Sequence, residues 1–297
     1  MNFGQEGDVM AMQQSPNMRF PVGDIRRNLQ NMPGSTEVSK AVRVMYRLGY
    51  AAKGLVFLII GVMALMLMMG MGGQLSDPTD ALKVIHRQPF GQFLLLLTGI
   101  SLLGYVAWRA AQSIFNVEHK EHSAKNAIKR IGYAISGLVY LSLSVLAIRG
   151  FMEGRVQNNE GSMGLTAKAL DLPAGPALVM ITGAIIIGVG LFHFVMGFQK
   201  RFMKQFENGR MTEKEREIIE KSGMIGLPAR GFTFGIIGYF FIRAGMHANA
   251  AETKDTKGVM EHILGLPMGE AILAIIAVGF VCYAVYCFAA ARYRRFA

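Results

Sequence analysis

A chain of 297 residues that is 52% hydrophobic and only 17% charged is too apolar for an ordinary water-soluble domain. Its net charge of +11 reflects 31 Lys and Arg against 20 Asp and Glu, but no basic soluble domain gathers that charge, so nucleic acid is excluded as a partner. The expected solvent is the lipid bilayer, and the expected fold is all-α.

Taken in chain order, residues 1–43 read as a flexible cytoplasmic tail rich in Gln, Asn, Met, Gly and Pro, without helical periodicity or the apolar core of a signal peptide. Six apolar stretches follow, at roughly 48–70, 90–114, 131–151, 175–198, 227–247 and 269–290, each long enough for the ~20 residues of helix that cross a membrane. The loop before the fifth opens with a capping box, Thr212 to Glu215, which predicts a short surface helix over about 212–222. The loops before the second, fourth and sixth stretches hold segments 79–85, 165–170 and 258–264, each expected to form a turn or two of amphipathic surface helix.

The six stretches are three copies of one unit. Residues 131–199 map onto 225–293 at a constant offset of 94, and the first copy joins at offsets of 83 and then 84. Gly49 and Gly54 thus match Gly132 and Gly137, then Gly226 and Gly231. Pro89 and Gly91 match Pro173 and Gly175, then Pro267 and Gly269. A regular period means one supersecondary unit reused, here a helical pair. We expect a pseudo-threefold arrangement of repeats 44–116, 127–200 and 225–297, with a cytoplasmic loop over 201–224. The named glycines are expected in close helix packing, with each proline pre-set for a helix start and each following glycine making the tight turn.

Orientation follows from the basic residues. With the amino terminus inside, the inside segments hold 21 Lys and Arg and the opposite loops 6, which places both termini in the cytoplasm.

Candidate chemistry is sparse. No Asp or Glu lies mid-helix, which counts against a proton-coupled mechanism. Lys53 and Arg230 share one repeat position, with Ser136 in the second copy, about one turn inside the cytoplasmic edge; snorkelling to that edge is the plain account and an anion site the sharper one. Arg149 and Arg243 are a second equivalent pair, near the outer edge, and His193 matches Arg109 next to an aromatic belt position. Thr98, Ser144 and Thr182 are mid-helix hydroxyls that a solute path would recruit, although such groups usually bond to their own backbone. His119 and His122 read as exposed loop residues, Cys282 and Cys287 point apart on one helix, and the Met63 to Met71 cluster reads as apolar filler rather than Cu(I) ligands. No phosphate-binding loop, His-Glu-x-x-His, Gly-x-Ser-x-Gly or Cys-x-x-Cys is present, so neither catalysis, cofactor nor metal is expected.

The phrases from Arg47 to Gly54, Pro89-Phe90-Gly91, from Gly104 to Arg109, and Ala229-Arg230-Gly231 resemble the bacterial membrane family catalogued as domain of unknown function 1206. That resemblance, over about 44–295, implies a six-helix inner-membrane protein of three two-helix modules and supplies no catalytic residue. Two functional readings follow. The first is a structural or partner-binding membrane component, with a membrane protein or a second copy as partner. The second is a carrier or channel for a small solute, built on parallel repeats.

Overall fold

The computed structural model describes residues 35–114, 124–157 and 161–294. Among them the regular elements are helices, and one isolated bridge joins Phe206 to Arg294. In order these are α1 (Ser35–Met68), α2 (Pro78–His86), α3 (Gly91–Ile114), α4 (Ala124–Glu153), α5 (Gly161–Leu170), α6 (Gly175–Phe198), α7 (Glu213–Met246), α8 (Thr256–Leu264) and α9 (Gly269–Tyr293). Val42–Ala297 form one compact unit. Among the described residues six helices, α1, α3, α4, α6, α7 and α9, are long and apolar enough to cross a membrane. The protein is thus an all-α, multi-pass membrane protein with an internal repeat.

Two expected boundaries are corrected. The tail assigned to 1–43 ends earlier, because α1 already begins at Ser35; residues 1–34 lie outside the described residues. The short helix at 212–222 is not separate from the fifth span: α7 runs unbroken through 34 residues, so the repeat boundary at 224/225 falls inside a helix. At 1.5 Å per residue α7 is about 51 Å long, well beyond a ~30 Å hydrocarbon core, and its first turns project past it. The capping box is formed: the Thr212 hydroxyl accepts from Glu215 N–H at 3.3 Å, and Glu215 Oε2 accepts from Thr212 N–H at 2.9 Å. Pro228 sits inside α7 without ending it, packed at Gly197 of α6.

The helices form a ring held by two sets of equivalent close approaches. Within each repeat, Gly49 of α1 meets Tyr105 of α3, Gly132 of α4 meets Val189 of α6, and Gly226 of α7 meets Tyr283 of α9. Between repeats, Gly99 of α3 meets Ser144 of α4, Gly183 of α6 meets Gly238 of α7, and Ala277 of α9 meets Gly61 of α1. The last contact returns to the first helix and closes the ring. Both sets obey the sequence offsets, so the pseudo-threefold relation is carried by individual contacts. In a membrane such seams are held by dispersion between closely approaching backbones, which small residues permit. A β-carbon on Gly238 would stand 2.5 Å from the Gly183 carbonyl oxygen, and one on Gly49 2.7 Å from Tyr105 N. The second repeat is looser: Gly132 and Gly137 would meet their nearest neighbours, Val189 Cγ2 and Arg109 Cβ, only at 3.5 Å.

The Pro-x-Gly segments are one turn used three times, and the expected roles of their residues are revised. The glycine N–H donates to the carbonyl three residues back, from Gly91 to Gln88 and from Gly175 to Leu172 at 2.8 Å, and from Gly269 to Leu266 at 2.9 Å. Proline is the second residue of the turn, and the third, Phe90, Ala174 or Met268, has φ +61° in every copy. This is type II geometry, in which the middle residue rather than the glycine takes the left-handed backbone. The glycine is needed for space: a β-carbon on Gly91, Gly175 or Gly269 would overlap the carbonyl of His86, Ala169 or Ile263 in the preceding short helix.

These contacts give a graded expectation for thermal unfolding in detergent. Gly49→Ala and Gly238→Ala should each cost about 1–3 kcal/mol by overpacking, whereas Gly132→Ala should be tolerated. Ala174→Gly should be neutral or stabilising by up to about 1 kcal/mol through relief of the left-handed backbone, and Gly175→Ala strongly destabilising.

Candidate functional site

The interior of the ring is polar at one level. On α1, Tyr46, Tyr50, Lys53 and Phe57 are spaced four, three and four residues apart, so they share one face. That face turns inward, and Lys53 is only 3% exposed. It lies ten residues into the span that begins at Arg43, about 15 Å by helical rise, too deep for the snorkelling expected of it. Its equivalent on α7, Arg230, is 6% exposed and also points into the bundle.

Aromatic rings surround both cations. Lys53 Nζ lies over the rings of Tyr105, Tyr140, Tyr283 and Tyr50, at 4.8, 5.1, 5.4 and 5.6 Å. The Arg230 guanidinium lies over Phe57 at 4.4 Å and over Phe234 and Tyr283 at 4.7 Å. Hydroxyls complete the network. Lys53 Nζ donates to Tyr105 Oη at 3.2 Å, Tyr105 Oη and Ser136 Oγ share a hydrogen bond at 3.2 Å, and Arg230 Nη2 donates to Tyr140 Oη at 3.4 Å. The three equivalent positions, Lys53, Ser136 and Arg230, therefore all reach the same group of tyrosines.

Two further arginines extend this centre toward the end of the bundle that carries the chain termini. Arg109 of α3 donates to Tyr105 Oη at 2.7 Å and to Tyr50 Oη at 3.5 Å. Arg294, just past α9, donates to the same Tyr50 Oη at 3.3 Å and lies over Tyr46 at 5.1 Å. Cation and tyrosine thus alternate from Arg294 through Tyr50, Arg109 and Tyr105 to Lys53. Near the same end an open groove of about 600 Å³ is lined by Arg47, Leu48, Ala51, Arg210, Arg292 and Tyr293, among others.

No carboxylate among the described residues pairs with Lys53 or Arg230. A cation–π contact contributes about 0.5–2 kcal/mol, whereas taking an ion out of water costs several kcal/mol even after relaxation. Four ring faces come close to offsetting that for Lys53. Arg230 has three faces and one long hydrogen bond, and its Nε and Nη1 are buried without a partner. A buried donor left unsatisfied costs about 1–3 kcal/mol, so stability alone does not account for this residue. Lys53→Met is accordingly expected to keep the fold with equal or higher thermal stability, by up to about 4 kcal/mol, and a marked loss would show that the ammonium holds the tyrosines together.

The other candidates separate from this centre. Arg243 pairs with Glu252 at 3.1 Å, and His247 Nδ1 reaches the same carboxylate at 2.7 Å, so Arg243 has a local structural role. Arg149 is exposed. His193 Nδ1 bonds to the Val189 carbonyl of its own helix at 2.8 Å, and its ring lies edge-on to Phe234, one ring away from Arg230. Thr182 donates to Leu178 O at 2.8 Å, as hydroxyls in membrane helices usually do. Ser144 instead donates across a seam to Gly99 O at 2.7 Å. Cys282 and Cys287 are free thiols, and His119 and His122 lie outside the described residues. Sequence reasoning missed Arg109, Arg294 and the tyrosines as a group; the inward stripe 46, 50, 53, 57 was the available signal.

At the opposite end, the N-termini of α2, α5 and α8 border a polar cavity of about 500 Å³. Asp77 caps α2 by accepting from Asp80 N–H at 2.7 Å, and its equivalent Asp255 caps α8 by accepting from Gly258 N–H at 2.8 Å. Burial holds the Asp77 carboxyl above the usual carboxylate range; the Asp80 N–H pulls it back, and the charges of Asp80 and Asp255 add to the rise. A raised carboxyl binds its proton more tightly in the folded protein, so its contribution to stability is present below about pH 4 and is lost as pH rises through the raised value. Asp77→Asn keeps the capping oxygen without the charge. Its thermal stability should equal or exceed that of the parent at pH 7, and the difference should vanish below about pH 4.

Three consecutive stretches, 48–116, 131–200 and 225–294, match the family model described as Domain of Unknown Function (DUF1206). A Bacillus subtilis (strain 168) protein described as uncharacterized protein YxxB is 35% identical over 240 residues, covering 81% of this chain and 86% of its own length. No solved structure matches.

Proposed function

The chain belongs to the DUF1206 family, and for this member we propose a structural or partner-binding role in the membrane, carried out without catalysis. The observation that supports it is the pair of threefold seams. Gly183 and Gly238 press on each other's carbonyls, as do Gly190 and Gly231 one level away, so adjoining helices meet backbone to backbone. The hydroxyls of Ser144 and Thr182 are engaged with backbone carbonyls. A rigid ring of this kind presents its outer face to lipid, to a membrane protein partner or to another copy. We place it in a bacterial inner membrane, which its family and bacterial relative support, with both termini in the cytoplasm, which the distribution of basic residues along the sequence supports.

A carrier or channel for a small solute is the second reading, favoured by one observation: two cations buried at the centre with no carboxylate paired to them among the described residues. Affinity purification of the tagged protein from native membranes in mild detergent, followed by mass spectrometry, separates the two. A stoichiometric membrane partner or a stable homo-oligomer is expected. A monomer with no partner that drives solute uptake into liposomes would overturn the structural reading. A cysteine scan of loops 71–77 and 201–210 with an impermeant thiol reagent tests orientation; the first should label from outside intact cells and the second only after lysis.

A further inference from the structure

We propose that the Lys53–Arg230 centre is a binding site for a single small oxyanion of the phosphate or sulfate class. The proposal goes beyond the structural role and stands whether or not a partner is found. Its basis is the pairing of like charges: Lys53 and Arg230 both lie over the Tyr283 ring and both engage Tyr140, one through the ring and one through the hydroxyl. Among the described residues no carboxylate stands with them. Arg230, more than nine-tenths buried, has unpartnered Nε and Nη1. An anion shared between the two side chains removes their repulsion and accepts from those nitrogens at once.

The donors specify the ligand. A guanidinium matches the spaced oxygens of an oxyanion better than a spherical halide, and the hydroxyls of Tyr140, Tyr105 and Ser136 add donors at the same level. Size is restricted as well, because the ring centroids lie 4.4–5.6 Å from the cationic atoms, a lining too close to admit an organic phosphate. Access is from the termini end, where Arg294 and Arg109 alternate with Tyr50 and Tyr105 and draw anions inward from the groove that Arg47, Arg210 and Arg292 line.

The test uses the full-length protein in phosphatidylcholine nanodiscs, titrated calorimetrically with inorganic phosphate and sulfate, and with chloride for comparison. Saturable oxyanion binding is expected, weakened about tenfold or more in Arg230→Gln and in Lys53→Met. It should be unchanged in Lys221→Gln, whose lysine is exposed and pairs with Glu217. Arg230→Lys keeps the charge and guards against a folding defect; it should weaken sulfate binding while leaving any chloride binding intact. Absence of saturable binding by the folded parent protein would overturn the proposal, as would equal affinity in all the variants. A phospholipid that copurifies one per chain and is lost in Arg230→Gln would also overturn it, by assigning the site to a lipid headgroup instead of a free ion.

Discussion

Everything else in this molecule depends on how closely its helix backbones approach at five of its six seams. Lipid tails are as apolar as leucine, so no hydrophobic force separates helix from helix in a bilayer, and association falls to dispersion and to the few hydrogen bonds that cross a seam. Here the approach is set by glycine against a neighbouring backbone at Gly49, Gly226, Gly61, Gly183 and Gly238, and by the Ser144 hydroxyl donating to Gly99 O. The contacts recur at fixed sequence offsets, so one local solution found in a helical pair closes a ring when used three times. The turns follow the same logic: Gly91, Gly175 and Gly269 leave space for a carbonyl of the short helix before them, which fixes that helix at the end of the bundle.

Tight seams change what the interior can contain. Where backbones touch, water has no room to solvate a charge, and Lys53 and Arg230 are left to the faces and hydroxyls of tyrosines. Tyrosine suits this environment because its ring offers a negative face to a cation and its hydroxyl accepts from another. One Tyr105 serves three positions, accepting from Lys53 and Arg109 and sharing a hydrogen bond with Ser136. Each cation is thereby tied to helices other than its own, and a change at any member reaches the whole level.

The repeat, the six spans, the capping box and the Pro-x-Gly turns were legible because each is a local or periodic property. The offset that equates Gly49, Gly132 and Gly226 also predicts that they do the same work, and they do occupy one seam position. The centre was not legible in the same way. Helical spacing places Lys53 and Tyr50 on one face, but nothing in a single helix says that the face turns to the interior, or that Tyr140 and Tyr283 come from two others to meet it. The snorkelling account of Lys53 also assumed a span starting near 48, and α1 begins at Ser35. The fused α7 escaped because the sequence reading splits the surface helix from the fifth span near 222–227, whereas the helix runs through Pro228, whose ring has a place against Gly197 of α6.

Departures from threefold symmetry are concentrated in the second copy. Ser136 replaces the cation, Val189 replaces the tyrosine of the seam, and the approaches at Gly132 and Gly137 loosen to 3.5 Å. These changes are physically related. A third cation at position 136 would place three like charges around one axis with no carboxylate, at a cost rising with each pair. A serine instead contributes a hydroxyl to Tyr105 and adds no charge. With the cation gone, the tyrosine that would have faced it has less to hold, and the apolar Val189 leaves the α4–α6 seam the most loosely packed of the three within-repeat seams. The ring is therefore built to a threefold plan in its backbone and to an asymmetric plan in its charge, with a serine hydroxyl standing where the other two copies hold a cation.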